Sequence, residues 1–228
     1  MRLDKFLADM GFGTRKEIKK ALKKNPVLID GRPIKDGSYP VDEDTIVYID
    51  DQPIAYIKYE YYLLNKPQGY VCALTDNRYP VVMDLIESWR HDLVPVGRLD
   101  LDTEGALLIT NDGDLNHRLL SPKHHVQKKY YVEVEKPLPA NAGDQFSQPM
   151  DLGDFVTQPA VFKAIDDTRA YLTITEGKFH QVKRMFEAIG CPVTYLRRES
   201  FSILTLEGLE TGQYRALTAN EIELLQNQ

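Results

Sequence analysis

The sequence predicts an α+β protein in two parts: a small N-terminal module, then a larger domain whose mixed, mostly antiparallel sheet is flanked by helices. Three observations carry this expectation. Apolar residues recur at helical spacing near the N-terminus. From residue 61 onward, strand-like segments outnumber helical ones. Those strands also fail to alternate regularly with helices, as a doubly wound parallel sheet requires.

Leu3, Phe6, Leu7 and Met10 stand at i, i+3, i+4 and i+7, one face of a helix that Gly11 and Gly13 end. Thr14 and Glu17 have capping-box spacing and start a second helix reaching Lys24, with Ile18, Ala21 and Leu22 as its apolar face. Its other face is cationic: Arg15, Lys16, Lys19, Lys20, Lys23 and Lys24. Val27–Ile29 and Arg32–Ile34 flank Asp30-Gly31 and predict a hairpin, Thr45–Ile49 a further strand, and 51–54 a linker. Beyond the linker, strands are expected at 61–64, 106–110, 129–135, 161–165, 171–175 and 201–206. Asn111-Asp112-Gly113 reads as the turn that ends the second of these. Helices are expected over 82–90, over 181–189 with a stop at Gly190, and after the capping box of Thr218 and Glu221.

With 228 residues, 43% hydrophobic and 27% charged, the chain has material for a packed core. No run approaches the roughly 18–20 apolar residues of a membrane span. An acid stands at position 4, no apolar signal core follows, and Cys72 and Cys191 are too few for a disulfide framework, so a cytoplasmic protein is expected. A net charge of −6 weighs against a simple nucleic-acid binder. Its distribution restores the possibility: residues 1–24 hold eight Lys or Arg against three acids, whereas residues 25–60 hold three against eight.

Gly97-Arg98-Leu99-Asp100-Leu101-Asp102-Thr103-Glu104-Gly105 is the densest candidate for chemistry. Alternating acids between glycines invite three readings besides a solvated turn. A calcium loop needs a bidentate Glu at its twelfth position, where Asn111 stands. A D-x-D-x-T phosphatase needs its Thr one position later than Thr103. An RNA-directed enzyme needs one Asp to attack a nucleoside covalently.

The first 55 or so residues, through MRLDKFLADMG, TRKEIKKALKK and VLIDGRPIKDG, resemble the S4 RNA-binding domain. LLNKPQGYVC (63–72), GRLDLDTEGALLITNDG (97–113), QKKYYVEV (127–134) and GKFHQVKRMF (177–186) follow in order. With them the whole chain resembles the RsuA-type pseudouridine synthases, which join an S4 domain to a catalytic domain. The resemblance implies an RNA-binding domain over 1–57 and a catalytic domain over 58–228. It implies an isomerase that converts a uridine of ribosomal RNA to pseudouridine, with 16S rRNA of the small subunit favoured by LNKPQGYVC. A 23S rRNA enzyme and a non-catalytic ribosome-assembly factor are the alternatives.

By the same resemblance Asp100 is the catalytic aspartate, Tyr130 the tyrosine that packs on the target base, and Lys183 the cation paired with the aspartate. Arg184 is the substitute for Lys183, and strand alternation admits only one of Tyr130 and Tyr131 to the site. Arg2, Arg15, Lys16, Lys19, Lys20, Lys66, Arg98 and Arg184 are the candidate RNA contacts, with Arg98 placed to fill the space a flipped base leaves. Moving the ribose bond from N1 to C5 needs no redox step or group donor, so no cofactor is expected. Asp102 is expected to shape the loop; His117, His124 and His125 lack zinc spacing, and Cys72 and Cys191 read as small buried side chains.

Overall fold

The computed structural model describes residues 1–88 and 90–228. The chain divides into two compact units. One comprises Met1–Glu60 with Glu87–Leu93, the other Tyr61–Ile86 with Val94–Gln228.

In the first unit, α1 (Leu3–Asp9) and α2 (Arg15–Lys24) pack on the antiparallel strands β1 (Val27–Ile29), β2 (Arg32–Ile34), β3 (Val47–Ile49) and β4 (Gln52–Ile54), in the order β2-β1-β3-β4. The capping box of Thr14 and Glu17 starts α2 as expected. Leu3, Phe6, Leu7, Met10, Ile18 and Leu22 close on Val27, Ile29, Val41 and Val47, while Ala21 is exposed. Strand β4 occupies the segment expected as a linker. Asp50 and Asp51 both have positive φ (47° and 61°) and make a tight hairpin turn without the Asn-Gly or Asp-Gly pair that usually marks one. Pro53 is tolerated because β4 is an edge strand.

Asp4 lies beneath the cationic face. Its carboxylate is fully buried, with Arg15 Nη2 at 2.7 Å, Arg2 Nη2 at 3.1 Å and Lys19 Nζ at 3.3 Å. Three of the residues expected to meet RNA therefore also neutralise an acid of their own unit, while their side chains stay about half exposed (47–51%).

The second unit is a sheet in the order β13-β5-β7-β11-β8-β10-β9. Its strands are β5 (Tyr61–Lys66), β6 (Val94–Pro95), β7 (Glu104–Thr110), β8 (Lys128–Val134), β9 (Val161–Ala164), β10 (Arg169–Ile174), β11 (Val193–Phe201), β12 (Leu204–Thr205) and β13 (Tyr214–Ala216). Among the named strands of the described residues, β7 and β11 run parallel and the other pairs are antiparallel. Helices α3 (Gly113–Leu120), α4 (Ala142–Phe146), α5 (Gln181–Ala188) and α6 (Ala219–Gln226) flank it. Leu63, Leu108, Leu115, Leu119, Phe201 and Leu225 form one core, and Phe146, Phe162 and Phe186 a second aromatic one under α4 and α5.

Two expectations change here. The helix expected over 82–90 is a single 3₁₀ turn, Val82–Leu85; position 89 lies outside the described residues. Asn111-Asp112-Gly113 does end β7, but it also opens α3: the Asp112 side chain accepts from Leu115 N at 3.0 Å.

Burial works against the Asp4 carboxylate, but hydrogen bonds from Arg2, Arg15 and Lys19 outweigh it and bring its pKa to about 2. A depressed carboxyl pKa contributes stability that is complete above the unfolded value of 3.8 and is lost as pH falls through about 2. Asp4→Asn should lower stability by about 1–3 kcal/mol near neutral pH. It should also flatten the acid limb of denaturant unfolding midpoints in that window.

Candidate active site

The loop 97–105 connects to β7, and three groups of the preceding segment hold it. The Lys66 ammonium, at the end of β5 and fully buried, donates to Asp100 O at 2.9 Å, Thr103 O at 2.8 Å and Pro67 O at 3.1 Å. Gly69 N donates to Leu101 O at 2.8 Å, and Leu99 N donates to Cys72 Sγ at 3.3 Å. Burial pushes the Lys66 pKa down, although the nearby acids oppose it. At the loop's far end, Gly105 has φ 113°, and a Cβ there would stand 2.2 Å from Arg198 O. The parallel pairing of β7 with β11 thus requires glycine at this point.

So held, Asp100 meets α5. Its Oδ2 lies 3.0 Å from Lys183 Nζ and its Oδ1 3.6 Å from His180 Nε2, with the carboxylate 29% exposed. Lys183 also donates to Asp102 Oδ1 at 2.6 Å. Burial works against the Lys183 ammonium, but the bonds to Asp102 and Asp100 prevail and raise its pKa. Burial likewise opposes the Asp102 carboxylate, and Lys183 lowers its pKa in spite of that. His180 precedes α5 in the left-handed region (φ 51°) and stacks on exposed Phe179 at 3.8 Å.

Asp100 opens on a small cavity of about 110 Å³. Tyr130, buried on β8, lines it, as do Lys128, Arg198 and the apolar side chains of Ile174, Val182, Leu196 and Phe201. Strand alternation turns Tyr131 to the opposite face, where its hydroxyl donates to Glu133 Oε1 at 2.7 Å and its ring meets Tyr171 and Tyr195 edge-on. A carboxylate paired with a lysine, beside a tyrosine and a partly enclosed cavity, is an arrangement able to serve nucleophilic or general-base chemistry.

Residues 60–188 match the family model for RNA pseudouridylate synthases, and residues 1–47 match that of the S4 domain. The chain belongs to the RNA pseudouridylate synthase family. It is 46% identical to an RNA pseudouridine synthase of Bacillus subtilis, YtzG, over 99% of this chain and 98% of that one. It is 40% identical to ribosomal small subunit pseudouridine synthase A of Haemophilus influenzae, over 99% of both chains, and 39% identical to its Escherichia coli counterpart, over 97% and 98%. A crystal structure of a pseudouridylate synthase superposes with a TM-score of 0.70 at 39% identity, covering 99% of both chains.

Within this family fold, Asp100, Tyr130 and Lys183 come together as the sequence expects. Arg98 is exposed at the cavity lip. Two expectations fail. Lys66 is no phosphate ligand, because its ammonium is buried and spent on three carbonyls. Arg184 does not substitute for Lys183: one residue further round the helix, its guanidinium pairs with Asp154, donates to Leu152 O at 2.6 Å and stacks over Phe155. Asp102 binds the loop to Lys183, and Glu104 accepts from the Tyr195 hydroxyl at 2.6 Å.

Sequence reasoning passed over Lys128 and Arg198. The first could have been found by its two-residue offset from Tyr130, which puts both on one strand face. The second lies in β11, where Arg197-Arg198-Glu199 masks a buried strand.

Lys66→Ala should cost about 3 kcal/mol or more, since hydrogen bonds from a charged donor are worth roughly 1.5–3 kcal/mol each and buried carbonyls lose their partner. Denaturant unfolding measures this loss. RNA affinity of the folded variant should stay close to wild type.

Proposed function

We propose that the chain isomerises a uridine of small-subunit ribosomal RNA to pseudouridine, with Asp100 as nucleophile or base at the ribose, Tyr130 packed on the base and Lys183 holding the carboxylate. One observation carries the reading: Asp100 and Tyr130 line the same ring-sized cavity while Lys183 pairs with Asp100 from α5. The small-subunit substrate is supported by full-length relatives named for that RNA. A working place in the cytoplasm accords with that substrate, and no helix among the described residues is long and apolar enough to cross a membrane.

The residues fit the chemistry. The C1′–N1 bond must break, the free uracil must turn, and C5 must bond to C1′. An ionised carboxylate can attack C1′ or take the C2′ proton, and Lys183 offsets the cost of half-burying that charge. Ile174, Val182, Leu196 and Phe201 offer the loosened base apolar surface to pack against. Exposed Arg98 at the lip is suited to occupy the stack the base vacates or to hold a phosphate.

Residues 1–57 are assigned to RNA docking and 58–228 to catalysis. Arg15, Lys16, Lys19, Lys20 and Lys23 line one shallow groove on α2, a surface for the phosphate backbone.

Pseudouridine mapping of small-subunit RNA, incubated with the protein, tests the reading. Wild type should create one new pseudouridine, and Asp100→Asn should lose it while binding the RNA. Persistence of the modification in Asp100→Asn would contradict the assignment. Replacing Lys16, Lys20 and Lys23 with Ala should weaken RNA binding and reduce the slope of log K against log salt by about 0.7–0.9 for each phosphate no longer neutralised. Fluorescence titration at several salt concentrations checks this; an unchanged slope would remove α2 from the interface.

A further inference from the structure

The cavity contains two cations that the reading above leaves without a task. Lys128 and Arg198 both line it and are 7% and 2% exposed. Lys128 lies two residues before Tyr130 on the same face of β8, and Arg198 is the register partner of Tyr130 on β11. Both stand over the Phe201 ring, at 5.6 and 5.0 Å.

Neither is matched by an acid among the described residues. The Lys128 ammonium donates to Val126 O at 2.8 Å. Arg198 directs Nε to Ala106 O at 2.7 Å, and its Nη2 is buried with no hydrogen-bond partner among the described residues. Asp100 is paired with Lys183, and Glu176 accepts from Gln181 Nε2 and Gln158 N. Burial, and then the neighbouring Arg198, pushes the Lys128 pKa down to about 8, which still leaves the ammonium mostly charged at neutral pH. Two buried cations that form no ion pair, with only the longer-range field of Glu176 supporting Lys128, are costly to the fold, and such costs concentrate where function needs them.

We propose that Lys128 and Arg198 form an anion-stabilising floor for the uracil while it is detached from the ribose. The inference rests on the pseudouridine synthase reading of the site. When the C1′–N1 bond breaks, its electron pair leaves with the base. The uracil becomes a monoanion whose charge is shared by N1 and the O2 and O4 oxygens. C1′ is left bonded to the Asp100 carboxylate, or in a C1′=C2′ glycal if that carboxylate has taken the C2′ proton. The new bond uses the C5=C6 electron pair of the base, and the carboxylate departs from C1′ or returns its proton to C2′. C5 then loses a proton and N1 gains one, so the product is an isomer of the substrate. Negative charge on the base exists only between the two bond changes, and fixed cations in a partly enclosed site act on that interval.

A ring is favoured over a backbone phosphate as the occupant. Ile174, Val182, Leu196 and Phe201 flank the two cations with apolar surface, which accommodates a flat base and would strip a phosphate of its water. A phosphate ligand would also make its loss visible in RNA affinity, whereas a floor for the detached base affects the rate alone.

The decisive comparison is Lys128→Gln, which keeps an amide N–H for Val126 O and removes the charge, beside Lys128→Arg, which keeps the charge. Single-turnover rate, RNA Kd and Tm are measured for both and for wild type on small-subunit RNA. Lys128→Gln is expected to be slowed about 100-fold or more, with Kd unchanged and Tm equal to or above wild type. Lys128→Arg should recover part of the rate. A wild-type rate in Lys128→Gln overturns the proposal and leaves the pseudouridine synthase reading intact. A slowed variant with weakened RNA binding or a lowered Tm, including one that does not fold, also overturns it in favour of phosphate docking or a structural part. Wild type that forms no pseudouridine defeats both readings.

Discussion

The site depends on how loop 97–105 is gripped. From one side, the buried Lys66 ammonium gathers the carbonyls of Asp100 and Thr103; from the other, Lys183 on α5 takes the carboxylates of Asp100 and Asp102. Burying an ammonium costs several kcal/mol. Three charge-assisted bonds of roughly 1.5–3 kcal/mol each are enough to offset that. The grip fixes the backbone of Asp100 from strand β5 and its side chain from helix α5. The close approach of Gly105 to Arg198 then locks the same loop against β11. One short segment is thereby tied to three elements far apart in sequence.

Three kinds of cation meet around this loop, and their partners separate their tasks. Lys66 is satisfied by carbonyls and is structural. Lys183 is satisfied by the carboxylates of Asp100 and Asp102 and holds the one proposed to react. Lys128 and Arg198 have a carbonyl each and, among the described residues, no ion pair with an acid, a state that favours an anionic occupant. In the N-terminal unit, Asp4 anchors Arg2, Arg15 and Lys19 from below, so part of the basic face is held in place without an external phosphate. An acidic chain can in this way carry a rigid, locally cationic surface.

Much of this was legible in the sequence. Capping boxes at Thr14 and Thr218 and the apolar spacing of Leu3 to Met10 signal their elements through local chemistry, and those elements form as expected. Strand β11 escaped, save its last residue, because its burial comes from neighbours on both sides and Arg197, Arg198 and Glu199 break the apolar alternation that marks a strand; the strand expected at 201–206 is interrupted by a turn at Ser202-Ile203. Strand β4 escaped because its turn uses two aspartates at positive φ in place of glycine. In the site, the Asp100–Lys183 pairing followed from family motifs, whereas the fate of Lys66 did not. A lysine beside a proline reads as exposed until the carbonyls of a loop 34 residues later are known to converge on it. Arg184 failed for a related reason: adjacent helix positions point about 100° apart, and only one of them faces the loop.

On the proposed reading, Asp100 and Lys183 act as one unit to which Asp102 is an accessory. A double-mutant cycle on the single-turnover rate, using Asp100→Asn and Lys183→Met, tests this most directly. Strong coupling is predicted, about 2 kcal/mol or more. The double variant should be scarcely slower than Asp100→Asn, and the parallel cycle with Asp102→Asn should show much weaker coupling. Additive losses for Asp100 and Lys183, or stronger coupling through Asp102, would contradict the account.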